Sequence, residues 1–217
     1  MLILAALLAC AATAPTNPRV VVVRNEPTVQ RITFDPRDPP RQMRFNESAF
    51  TQYDFDCRVD VKFEITRARR SANGQTAVTA VIRAVRVELR LDDRMYLPLS
   101  ANVQLRAHEE GHREINERVY LQAETVAHEE AQKVLGRSFD GVGADEDSAG
   151  RSATDAAIKL LGDAYIARIV GQASRVGDIY DDITQHGKRG IGVARAVDQA
   201  FARAARPVPA TAPAGSS

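Results

Sequence analysis

The stretch Tyr53–Ile65, YDFDCRVDVKFEI, sets the frame for the chain. Phe55, Cys57, Val59, Val61, Phe63 and Ile65 fall on one side of an extended backbone, and Asp54, Asp56, Arg58, Asp60, Lys62 and Glu64 on the other. Side chains alternate faces along a strand, so a period of two describes a strand with one face buried and one in water. Ser71–Gly74 supplies a turn, and Ala77–Leu91 repeats the pattern through Val81, Val85, Val87, Leu89 and Leu91. The two runs read as a long antiparallel hairpin.

Upstream, Val20–Val23 and Val29–Phe34 are short strand-like runs, followed by a break at Pro36, Pro39 and Pro40. After Pro98 the period becomes helical. Asn102 or Ser100 can cap a helix that meets no proline before Leu135, with Gly136 as its stop. Phe139–Gly150 reads as a Gly/Asp loop, Ser152–Val176 as a second helix, Tyr180–Gly187 as a short segment, and a last helix ends near Ala205. Strands first and helices after predict an α+β fold: an N-terminal antiparallel β-sheet, a helical hairpin, and a final C-terminal helix. The domain spans 19–205, β-rich over 19–100 and α-rich over 101–205.

The chain has 217 residues, enough for one domain with a real core. Its formal net charge is +1 with no basic block, which excludes nucleic acid as the expected partner. Trp is absent, so the core must be mainly aliphatic and no stacking platform is expected. Leu2–Ala12 is too short to span a bilayer and reads as the apolar part of an export signal. Leu7-Leu8-Ala9-Cys10 resembles a lipoprotein cleavage box, so membrane attachment through a lipidated Cys10 is expected, in the periplasm or on the outer membrane. Soluble secretion after a cut at Ala14 is the alternative. Segment 1–18 is then signal and linker, and 206–217 a Pro/Ala/Ser tail. Without Cys10 no internal disulfide is possible, and Cys57 reads as a small core residue.

Inside the first helix stands His108-Glu109-Glu110-Gly111-His112, an HExxH motif. Residues four apart share a helix face, so both imidazoles can address one ion, with Glu109 beside the water it activates. The competing reading is an exposed charged helix with two incidental histidines, in a binding module without metal. Against it, both histidines fall on the apolar stripe of Leu105, Ile115, Val119 and Val126. His128 would lie about 24 Å from His112 along an unbroken helix and cannot share the ion. An antiparallel second helix would instead return Tyr180–Gly187 to the level of His108. That makes His186 the expected third ligand of a zinc site with an open fourth position. Asp181 and Asp182 could orient a histidine through its other ring nitrogen. Tyr180 is the expected oxyanion donor, and Met95–Leu99, with Tyr96, an edge to which an extended peptide could add.

HEEGH after a β-rich half, with the downstream Tyr180-Asp181…Thr184…His186-Gly187, resembles a bacterial family of predicted secreted zinc-dependent proteases of the zincin group. The resemblance covers roughly 52–205, and 188–200 departs from it by lacking an aromatic residue. It implies His108, His112 and His186 as ligands, Glu109 as general base, and a peptide or protein substrate. The expected function is therefore a zinc metallopeptidase of the cell envelope. A non-catalytic zinc-binding or scaffolding lipoprotein is the alternative, which a fourth protein ligand such as Asp181 would favour.

Overall fold

A computed structural model of the chain describes residues 19–44 and 47–206. The segment read as an export signal, with Cys10, and the tail from 207 onward lie outside the described residues. The elements in order are β1 (Arg19–Arg24), β2 (Thr28–Phe34), β3 (Phe50–Arg70), β4 (Thr76–Pro98), α1 (Val103–Tyr120), α2 (Ala123–Val134), β5 (Ser138–Gly143), α3 (Glu146–Thr184) and α4 (Val193–Ala204). The class is α+β, as the order of patterns predicts. Among these residues no helix is long and apolar enough to cross a membrane.

The expected hairpin is the β3–β4 pair, which runs antiparallel from Phe50↔Tyr96 to Arg70↔Thr76. β4 is the central strand. One of its edges carries β3; the other carries β5, β1 and β2 in succession. The sheet is mixed rather than wholly antiparallel, because β1 and β2 run parallel to β4. The reason is a double reversal: the chain turns once between β2 and β3 and again at the hairpin tip, so β4 regains the direction of β1 and β2. Met95 and Tyr96 are paired on both sides and Leu97 and Pro98 with β2 alone, so most of the expected docking edge at Met95–Leu99 is already taken. Among the described residues the outer edge of β3 is unpaired, as are those of β1, β2 and β5 on the other side of the sheet.

The inward series on β3 is Thr51, Tyr53, Phe55, Cys57, Val59 and Val61. On β4 it is Val85, Val87, Leu89, Leu91, Asp93, Met95 and Leu97, all buried. A register shift beside Arg83 changes the phase of β4, so Val78, Ala80 and Ile82 face inward before it and Val81 faces out. The outer face pairs Asp56 with Arg90, Arg58 with Glu88 and Asp60 with Arg86, a favourable cross-strand ladder.

α1, α2 and α3 pack on the inner face, and α4 packs on α1 and α3. The main core joins Phe55, Ile82, Leu89 and Leu91 to Tyr120, Ala123, Ala127, Leu161, Tyr165 and Ile169. Cys57 borders it half-buried, its thiol pushed up to about 12 by burial and by Asp56. That is an inert core residue, as expected. The first helix is split at Leu121–Gln122, where the sequence carries no breaker. The Gly/Asp loop contains β5, whose Gly141 and Gly143 let the first turns of α3 press against the strand; a Cβ at either would strike its backbone. α3 starts earlier and ends later than Ser152–Val176. An Asp145–Ser148 capping box opens it, and it runs 39 residues to Thr184.

Candidate metal centre

α3 returns antiparallel past α2 and α1: Arg168 pairs with Glu130, Asp181 with His112, and Thr184 with His108. A second core of Ile115, Val176, Tyr180, Ile183, Ala196 and Val197 clamps α1, α3 and α4 together behind this contact. Asn102 begins α1 by accepting a hydrogen bond from the Leu105 amide at 2.8 Å. The pairing of α1 with α3 therefore sets the site.

His108 and His112 both direct Nε2 at Asp181 Oδ1, at 3.2 and 3.0 Å. The three ligand atoms lie within 4.8 Å of one another. Donors held about 2.0–2.1 Å from a tetrahedral zinc stand about 3.3 Å apart, so the group fits a small divalent ion with slight relaxation. Two imidazoles and a carboxylate are also a donor set zinc accepts. Burial raises the Asp181 carboxyl, but hydrogen bonds from His108 and His112 and their charge outweigh it and hold the group well below the usual carboxylate range. Burial depresses the His112 imidazole, and the Asp181 hydrogen bond and charge more than reverse this.

Thr184 completes the surroundings of His108. Its hydroxyl donates to the Tyr180 carbonyl at 2.8 Å and so accepts from His108 Nδ1 at 3.3 Å. With Nδ1 keeping its proton on Thr184, release of the Nε2 proton that Asp181 accepts would leave the Nε2 lone pair for an ion. Thr184→Val should therefore lower zinc affinity about 10–100-fold, measured by competition with a chromophoric chelator, while Thr184→Ser stays near wild type.

Glu109 is 3% exposed, and Thr51 Oγ1 donates to its Oε2 at 2.8 Å. Burial raises its carboxyl above the ordinary value, offset in part by His112, Thr51 and His108. A base so raised is better matched to work near neutral pH. Glu109 and the histidines line an open cleft of about 940 Å³, walled by Phe50–Tyr53 on β3, by Asn102 and Gln104 before and on α1, and by Gly177, Asp178 and His186. That volume is at the upper end for a ligand site.

The remaining expected site residues divide. Tyr180 reaches the centre but not the cleft. Its ring stacks under His108 with centroids 5.1 Å apart, and its hydroxyl donates to the His108 carbonyl at 3.2 Å. It is 1% exposed, and a side chain at Gly111 would strike its hydroxyl, which explains the glycine within the motif. The expected oxyanion role is thus replaced by a supporting one. His186 lies beside the group rather than in it: Nδ1 is 3.7 Å from Asp181 Oδ1, and the side chain is 76% exposed. Asp181, expected to orient a histidine, is the third member instead. His128 is exposed on α2 and outside the group, although the helix expected to carry it there unbroken is split, and Asp182 is exposed.

Gln185, His186 and Gly187 all have positive φ, at 51°, 52° and 76°. Two such non-glycine residues in sequence cost about 1–2 kcal/mol each. The turn they form carries Gly187 against His108, where a Cβ would lie 2.9 Å from the histidine Cβ. Gln104 Nε2 secures it by donating to the Gly187 carbonyl at 2.6 Å.

No family model, curated protein or solved structure matches this chain.

Proposed function

We propose that the protein is a zinc-dependent hydrolase, a metallopeptidase that cleaves peptide bonds in the cell envelope. The observation that carries this is the meeting of His108, His112 and Asp181 at a cleft whose wall holds the buried carboxyl of Glu109. Zinc bound there would supply a Lewis acid and a water of lowered pKa. Glu109 takes the proton of the attacking water and delivers it to the leaving amine. His108 and His112 are held for this by Thr184 and by the Tyr180 ring. An extended substrate would lie along the unpaired edge of β3, beside Phe50–Tyr53. The apolar run Leu2–Ala12, read as an export signal, supports the envelope as the place of action.

A second reading is a zinc-binding envelope lipoprotein without turnover. It is favoured by the presence of Asp181 in the group with His186 only 3.7 Å from it, which is the material of a closed four-ligand centre. Two measurements separate these readings: the zinc content of the purified mature protein, and its hydrolysis of fluorescein-labelled casein beside Glu109→Gln. One zinc per chain in both proteins, with turnover reduced about 10²–10⁴-fold in the variant, is expected. Zinc without turnover in either protein selects the second reading. No zinc after supplementation rejects both.

A further inference from the structure

We propose that Thr51 is a positioning residue for Glu109, fixing which carboxylate oxygen faces the reacting water; this rests on the hydrolase reading above. Glu109 belongs to α1 and Thr51 to the start of β3, so the contact joins the two walls of the cleft. Thr51 Oγ1 donates to Glu109 Oε2 at 2.8 Å and also stands 3.3 Å from the Glu109 carbonyl, directly over that turn of helix. Among the described residues Oε1 has no hydrogen-bond partner, yet it is not sealed in the interior. It is the oxygen left for the cleft.

The anchor is stiff. A β-branched residue is restricted at χ1, and Thr51 is paired with Met95 on the central strand. Its neighbour Phe50 stacks on Tyr96 with ring centroids 4.5 Å apart and planes 10° from parallel. A glutamate has three side-chain torsions. Without the hydroxyl, Oε2 could turn into the cleft or toward the histidine pair, and the carboxylate would sample several orientations where catalysis needs one. Hydrolysis by a displaced base is slowed steeply, since about 1 Å of misplacement costs up to about 100-fold.

Thr51→Val keeps the shape and strand preference of the residue and removes the hydrogen bond, while Thr51→Ser keeps the bond. On fluorescein-labelled casein, Thr51→Val is expected to lower kcat about 10–100-fold with KM and zinc content unchanged, and Thr51→Ser to recover to within about threefold of wild type. In the same proteins, the ¹³Cδ resonance of Glu109, assigned by its loss in Glu109→Gln, should move in Thr51→Val and return in Thr51→Ser. Turnover that depends on Glu109 but is indifferent to Thr51→Val overturns this inference alone. So does a loss of zinc in the valine variant, or a resonance that stays in place. A wild type with no Glu109-dependent turnover overturns the hydrolase reading and with it the catalytic purpose of the contact.

Discussion

Asp181→Ala is expected to lower zinc affinity by more than 100-fold, while His186→Ala changes it less than about threefold. The magnitude follows from dividing roughly 10–16 kcal/mol of binding among four ligands, about 3 kcal/mol for each. The assignment follows from geometry. Asp181 Oδ1 sits between both Nε2 atoms at ligand-to-ligand spacing, whereas His186 is mostly exposed and approaches only the carboxylate. Competition against a chromophoric chelator reads the affinity, and circular dichroism checks that each variant is folded. A large loss in His186→Ala and a small one in Asp181→Ala would restore the three-histidine centre that the motif spacing suggests. Large losses in both, together with a wild type that hydrolyses nothing, would describe a closed four-ligand site and select the non-catalytic reading.

The hairpin and the HExxH helix were legible because each repeats a simple period long enough to exclude the other. Thirteen residues of strict alternation from Tyr53 to Ile65 admit only a strand with one buried face. The pairing of β1 and β2 was not legible, since short β-branched runs fit either edge of a neighbour in either direction. The end of α3 was the costly misreading. With the helix carried on to Thr184, Tyr180, Asp181 and Thr184 share one face, and all three meet His108 or His112. Stopping it at Val176 makes His186 the expected third ligand and leaves Asp181 only as a possible fourth. The start of α3 did carry a signal, the Asp145–Ser148 box, inside what reads as a glycine loop. Thr51 carried one as well: it is the polar residue that continues the inward series of Phe55 and Tyr53 by one more step.

The same inward series on β4 contains an ionisable residue, and its replacement should raise stability at neutral pH. Asp93 stands between Leu91 and Met95 and is 1% exposed. Asn116 Nδ2 donates to its Oδ1 at 2.7 Å, and Oδ2 has no partner. Burial raises the Asp93 carboxyl to about 7; the Asn116 hydrogen bond and Arg113 oppose the rise, and Glu117 and Asp92 add to it. The folded protein therefore holds a proton between about pH 4 and 7 that the unfolded chain has released. Stability rises with pH where the unfolded state binds more protons, so here it must fall as pH climbs through that window and level off above it. Asp93→Asn removes the ionisation while keeping an oxygen for Asn116, and should be more stable than wild type by about 2–4 kcal/mol at pH 8. Below about pH 4 the two should nearly coincide, because a protonated carboxyl and an amide bury similar unpaired groups. Urea unfolding of both proteins at pH 5 and pH 8 measures the gap, which should widen with pH. A constant gap, or none, would mean that Asp93 is ionised in the fold without penalty and that a further group satisfies its second oxygen.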